Sequence, residues 1–146
     1  GKKGGNTLGE GGSRVLLTID YPGVTKPGTE TSIPVQSIDL YPTILEIASG
    51  KRVEDNWIQG KSLMPILQGK EFAKRQLYFF RSYEDQYASV IDGDWKLVKY
   101  HSGKFQLFNV TKDISEQNDL IGTGLEIEAT LKKNLENWEK EAVPAF

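Results

Sequence analysis

One histidine, no cysteine and a glycine-rich opening set most of what chemistry this chain could carry by itself. A nucleophilic triad needs a nucleophile, a base and a group that orients the base. His101 is the only imidazole, and it stands beside the Ser102-Gly103 turn signal. No serine sits in a G-x-S-x-G elbow, so His101 reads as an exposed turn residue. The absence of cysteine excludes disulfides, thiolate zinc sites and a cysteine nucleophile within the chain. Asp92-Gly93-Asp94 has the start of a calcium loop but lacks the further oxygens and the distal glutamate such a loop needs. A hairpin turn explains both aspartates better. Glu84-Asp85 reads as a surface pair, and Asn109-Val110-Thr111 is a glycosylation sequon that has meaning only in a secretory eukaryotic setting.

The opening "GKKGGNTLGEGGSRV" holds six glycines, with Lys2 and Lys3 just before the main run. Ammonium groups beside backbone amides could hold an anion. Yet the segment lacks the P-loop lysine-serine pair, and it leads into an apolar run instead of a helix. Composition alone therefore favours a loose end. Trp57, Trp95 and Trp138 could stack on carbohydrate, but core or core-edge positions account for such residues more often.

The elements that would position these groups divide the chain by character. Val15-Leu16-Leu17-Thr18-Ile19 reads as a strand with no polar face, of the kind a sheet covers on both sides. "SIDLYPTILEIASG" reads as a helix with an apolar face of Ile38, Tyr41, Ile44, Leu45 and Ala48. Asp39 is its expected N-cap, Pro42 falls in its first turn and Gly50 stops it. "KSLMPILQGK" allows one helical turn before Gly69. Residues from 76 onward change to short aromatic and β-branched runs, with turn signals at Asp92-Gly93 and Ser102-Gly103, which predicts three or four antiparallel strands in a meander. Ile127, Leu131, Leu135 and Trp138 then recur at helical spacing, with Thr123 and Glu126 as the expected capping box and Pro144 as the stop. One apolar stripe should pack this helix on one face of the meander.

The totals fit a folded domain with a real core: 146 residues, 38% hydrophobic and 26% charged. A net charge of −2, with both signs interspersed, gives no electrostatic reason to bind nucleic acid or an anionic membrane. No apolar run approaches the roughly 20 residues of a membrane helix. No leader pattern is legible at the start, so the chain either begins in the cytosol or has lost its front end.

The order of the motifs resembles the sulfatase family. "EGGSRV" before an apolar run and "YPG" is similar to the family's E-G-G-x-R-V-P and W-P-G. "SIDLYPTILEIASG" resembles its D-x-x-P-T-L-L-E-L-A-G helix, and "IQGKSLMPILQGK" its D-G-x-S-L-x-P-L-L-x-G segment. "IDGDWKLVKY" resembles R-D-G-D-W-K-L-I, and "FQLFNVTKDISEQNDL" resembles E-L-Y-D-L-x-x-D-P-x-E-x-x-N-L. Five motifs in order, over nearly all of residues 9–120, place the chain at the C-terminal end of a type I sulfatase of the alkaline phosphatase-like superfamily.

The resemblance implies an α+β fold: a small antiparallel sheet of about four strands packed by a C-terminal helix. A strand and a helix of the large α/β sulfatase domain precede it. It implies residues 1–69 as the end of that large domain and 70–146 as the C-terminal subdomain. In the family a formylglycine, made from Cys or Ser in a C/S-x-P-S-R motif, is the nucleophile, and calcium is held by two early aspartates and a later Asp-Asn pair. All of these precede E-G-G, so no catalytic residue and no metal ligand is expected in this chain, and the chain should be inactive alone. The family also carries a sulfate-contacting lysine just before E-G-G. A gapless alignment puts Gly5 there; Lys3 is the candidate, with a Gly4-Gly5 insertion restoring its reach and Lys2 as second choice. Gly9 replaces the family's aromatic and Leu16 its proline, while Glu10 and Arg14 read as a structural pair. The implied partners are the N-terminal catalytic region and a sulfated small molecule or glycan, with a homo-oligomer of this fragment as one way to cover exposed apolar surface. A periplasmic or secreted location would follow from the resemblance. A non-catalytic binding module on the same scaffold, or a fragment of a related phosphohydrolase or phosphotransferase, are the alternatives.

Overall fold

Alternation of side chains along four short strands builds the core of this protein. The computed structural model describes residues 7–53, 55–81 and 85–142. In chain order the elements are a helical turn α1 (Glu10–Ser13), a 3-10 turn (Ser37–Asp39) running into α2 (Leu40–Ser49), α3 (Met64–Leu67), strands β1 (Leu77–Phe80), β2 (Gln86–Asp92), β3 (Trp95–Tyr100) and β4 (Phe105–Asn109), and α4 (Glu126–Ala142). The chain folds into two compact units, one of residues 1–16 with 75–146 and one of residues 17–74.

The first unit is an antiparallel meander in the order β1-β2-β3-β4, with α4 packed on one face. Period-2 alternation sends Ala88, Val90, Leu97 and Leu107 to that face, where Leu131 and Leu135 meet them, all six fully buried. Trp95 and Trp138 pack at the edge of this cluster, and Trp138 stacks on Tyr78 at 5.1 Å between ring centroids. Burial beside these rings pushes the Tyr78 phenol up, and the Asp92 and Glu141 carboxylates add to the effect. The opposite face carries Val98, Phe108 and Val110, with Tyr100 beside them. The β2–β3 connection is a two-residue loop, Gly93-Asp94, between the paired Asp92 and Trp95. Gly93 has φ +55 and Asp94 does not enter the left-handed region, the pattern of a type II′ turn with glycine first.

A bulge interrupts the β2–β3 register: Gln86 pairs with Tyr100, while Ala88 pairs with Lys99. Tyr87 is the extra residue. Without it Gln86 would share the helix-side face of Ala88. With it Gln86 stands opposite Tyr100, on the far face.

In the second unit, α2 ends at Gly50, φ +67, as its sequence predicts. The Asp39 carboxylate does not cap α2. It is fully buried, accepts from the Gln36 N–H (2.7 Å) to close the 3-10 turn, and accepts from the Lys61 N–H (2.8 Å). The Thr43 hydroxyl bridges the Asp39 carbonyl and the Leu63 N–H, so the polar side of the helix is the buried side. Ile38, Tyr41 and Ile44 face outward. Gly60 has a steric reason: a Cβ there would stand 2.1 Å from the Ile38 carbonyl oxygen.

Two further expectations fail. Residues 15–19 form no strand; Val15 and Leu16 are 77% and 93% exposed. An extended segment gains a ladder only beside another strand, and among the described residues none lies next to it. Nor do Thr123 and Glu126 form a capping box. The Thr123 hydroxyl and N–H both donate to the Leu120 carbonyl, and Glu128, in the first turn of α4, accepts from the Gly122 N–H at 2.8 Å. The Glu128 carboxylate is held below its usual range by Lys132 first, then by that amide. Pro144 lies outside the described residues.

Candidate functional site

Lys3, the expected anion contact, and Lys2 lie outside the described residues. What the structure describes is the segment that follows them, from Thr7 to Arg14, and its attachment to the far face of the sheet. Gln86, re-aimed by the bulge, holds the start: its Oε1 accepts from the Thr7 hydroxyl (2.7 Å) and from the Leu8 N–H (2.8 Å). The Thr7 hydroxyl oxygen in turn accepts from the Gly9 N–H at 3.1 Å. Leu8 is buried.

The middle of the segment is held by charge. Lys96, in the centre of β3, is fully buried. Its Nζ stands 2.9 Å from Glu10 Oε1, 3.0 Å from Glu116 Oε1 and 3.3 Å from Ser13 Oγ. Glu116 Oε2 accepts from the Glu10 N–H at 2.8 Å, so one carboxylate ties both the lysine and the loop backbone. Arg14 completes the group with a looser contact, 3.4 Å to Glu10 Oε2. Two cations and two carboxylates leave it neutral. That balance is needed, because an unpaired charge inside a protein costs several kcal/mol. The half-exposed Arg14 adds little energy of its own, but it does pair with Glu10 as the sequence suggested.

Local backbone brings these groups into reach. Glu10 opens the turn α1, whose Gly12 and Ser13 amides donate to the Gly9 carbonyl. Glu116 has φ +53, a left-handed conformation rare for glutamate. The Asp113 carboxylate pins it there by accepting from the N–H groups of Gln117 and Asn118, at 2.8 and 2.7 Å. A Cβ on Gly9 would fall 2.7 Å from Glu116 Oε2. Glycine at position 9 therefore lets the Glu116 carboxylate approach the loop.

The other sequence candidates are absorbed by structure. Asp92 accepts from the Gln76 amide at 2.7 Å, and Asp94 accepts from the Thr111 hydroxyl at 2.7 Å. His101 is exposed and packs edge-on against Tyr87 at 4.7 Å. Asn109, the sequon residue, accepts from the Lys112 N–H at 3.0 Å through its side chain. Trp57 is 91% exposed. Among the described residues no three His, Asp or Glu side chains gather as a metal site. The carboxylates of Glu10 and Glu116 already hold an ammonium, so the described residues do not fit a calcium ion. No described helix is long and apolar enough to cross a membrane.

Sequence reading missed Lys96, Gln86 and Glu116. The signal for Lys96 was weak: it alternates with Val98 and Tyr100, so it shares their face, yet a strand lysine usually points to water. Nothing local marks Gln86, whose direction depends on a bulge.

Residues 7–141 match the family model described as N-sulphoglucosamine sulphohydrolase, C-terminal. A sulfatase of Formosa agariphila is 30% identical over 156 residues, covering 90% of this chain and 28% of that protein. Arylsulfatase K of Danio rerio is 33% identical, covering 76% of this chain and 23% of its own length. The crystal structure of Ps i-CgsB in complex with k-i-k-neocarrahexaose superposes with a TM-score of 0.67 at 27% identity, over 81% of this chain and 27% of that one. This chain thus spans about a quarter of the length of these relatives. The matched region opens at Thr7, where the docked segment begins, and takes in the meander and its helix: the chain belongs to the N-sulphoglucosamine sulphohydrolase C-terminal family and is a C-terminal region of a sulfatase of the alkaline phosphatase-like superfamily.

Proposed function

We propose that this chain is the part of a sulfatase that shapes the substrate cleft, while the N-terminal region of the same protein supplies the formylglycine nucleophile and the calcium ligands. The whole protein then hydrolyses sulfate esters. The observation that carries this reading is the docked Thr7–Arg14 segment. Its E-G-G-S-R residues are held by buried charges on a rigid sheet, as suits a loop that must present its neighbours in a defined place. Sulfate-ester cleavage also needs a strong nucleophile and concentrated positive charge at the sulfuryl oxygens. The described residues assemble neither.

Lys3 is the proposed sulfate contact, a compact ammonium on a flexible stem placed four residues before Thr7. A sulfated small molecule or glycan is the proposed substrate. A glycan is supported by the similar Ps i-CgsB, whose crystal structure is in complex with k-i-k-neocarrahexaose. The exposed Val15 and Leu16, and the outward stripe of Ile38, Tyr41 and Ile44 on the second unit, are surfaces for the N-terminal region to cover. In the isolated chain a second copy is the proposed cover.

The test is turnover of 4-nitrophenyl sulfate and of a sulfated oligosaccharide by the full-length parent and by the isolated chain. The parent should hydrolyse at least one, and the isolated chain neither. Lys3→Ala in the parent should lower kcat/KM on the order of a hundredfold. Turnover by the isolated chain would overturn the division of labour, and a near-normal Lys3→Ala rate would remove that residue's role.

A further inference from the structure

We propose that Lys96 is a positioning residue: its buried ammonium clamps the Thr7–Arg14 loop, through Glu10 and Glu116, to the far face of the sheet. The inference extends the sulfatase reading to a residue that touches no substrate, and it rests on that reading only for its effect on turnover.

Three features separate a clamp from an ordinary core residue. Lys96 makes no contribution to the apolar cluster under α4, since it lies on the other face of β3. Among the described residues, the ion-pair and hydrogen-bond partners of its side chain, Glu10, Glu116 and Ser13, belong to the loop or to the connector that holds the loop. The loop backbone depends on the same atoms, because Glu116 Oε2 accepts from the Glu10 N–H while Oε1 faces Lys96. Take away the ammonium and two carboxylates face each other across a nearly dry space, with side chains only 8% and 9% exposed. Like charges so placed must separate or take up protons. The sheet has its own ladder and core and can stay; the loop is the part free to leave. An apolar side chain at 96 would serve packing as well or better, so what the charge adds is a single seat for Glu10.

The distinguishing prediction is selective loosening. In hydrogen exchange on the chain of residues 1–146, Lys96→Met should speed exchange of the Glu10 and Arg14 amides on the order of a hundredfold, with β2–β4 amides changed less than about threefold. Should Lys96→Met fail to fold, Gly9→Ala decides. It leaves Lys96 and the sheet intact but pushes the Glu116 carboxylate off the Glu10 amide, and it should produce the same selective pattern at about tenfold. Equal loosening of loop and sheet, or unchanged exchange, would overturn the clamp. In the parent enzyme with 4-nitrophenyl sulfate, the folded variant should lose kcat by ten- to roughly hundredfold while KM moves less than about threefold. An opened loop with normal kcat would refute the positioning role. If the unmodified parent hydrolyses no sulfate ester, the sulfatase reading fails, and the exchange result still judges the clamp.

Discussion

At the scale of single residues, the fold spends its polar side chains on holding backbone. Asp113 is the clearest case after Lys96. Its carboxylate accepts from two consecutive amides and from the Asn118 side chain, and these bonds keep Glu116 in its left-handed conformation. The Asn118 backbone amide is the main reason the Asp113 carboxyl is held below its usual range, with the Gln117 amide and the Asn118 side chain adding. A carboxyl whose folded pKa is depressed contributes stability above its unfolded value, about pH 4, and loses it as pH falls through the folded value. Asp113→Asn should therefore lower the melting temperature at neutral pH, and the gap from the unmodified chain should close as pH drops below about 4. Thermal melts across that range check this; a gap independent of pH would assign the effect to shape alone. In the sequence this aspartate stood only within the connector motif "FQLFNVTKDISEQNDL". Its service to Glu116, and Glu116's to Glu10, was not legible there, because the partners are linked by three-dimensional proximity over 106 positions.

Elements were more legible than caps. Alternating apolar residues and two turn signals specified the meander, since a strand half-buried on one face has little freedom in which side chains it hides. Helical spacing did the same for α4, whose Leu131 and Leu135 are fully buried as the stripe requires. Leu135→Ala should cost about 2–5 kcal/mol, seen as a lower urea midpoint with an unchanged slope. A loss below about 1 kcal/mol would mean that the helix seat can collapse around the void. The Thr123–Glu126 box failed because the Thr123 hydroxyl and N–H both donate to the Leu120 carbonyl and the helix starts only at Glu126. The strand over 15–19 failed because a strand is a relation between two segments, and apolar content alone cannot supply the second.

At the scale of the whole molecule, the exposed apolar groups matter most. Val15, Leu16, Tyr41, Ile44 and Trp57 are each more than half exposed. A chain that leaves such side chains in water should associate, so the sedimentation mass of the isolated chain should rise with concentration, and Leu16→Ser with Ile44→Ser should reduce the rise. A mass of one chain at every concentration would refute it. The sequence by itself determined the antiparallel meander, the C-terminal helix with the stripe that packs on it and, through five ordered motifs, the family. These are local or periodic properties, written in spacing. Only the tertiary structure decided that Lys96 points inward to Glu10 and Glu116, that a bulge turns Gln86 toward Thr7, and that α2 buries Asp39 and Thr43 while its apolar stripe faces out. Each depends on which distant segment arrives at a given face, and a buried charge reveals its purpose only through the partner that neutralises it.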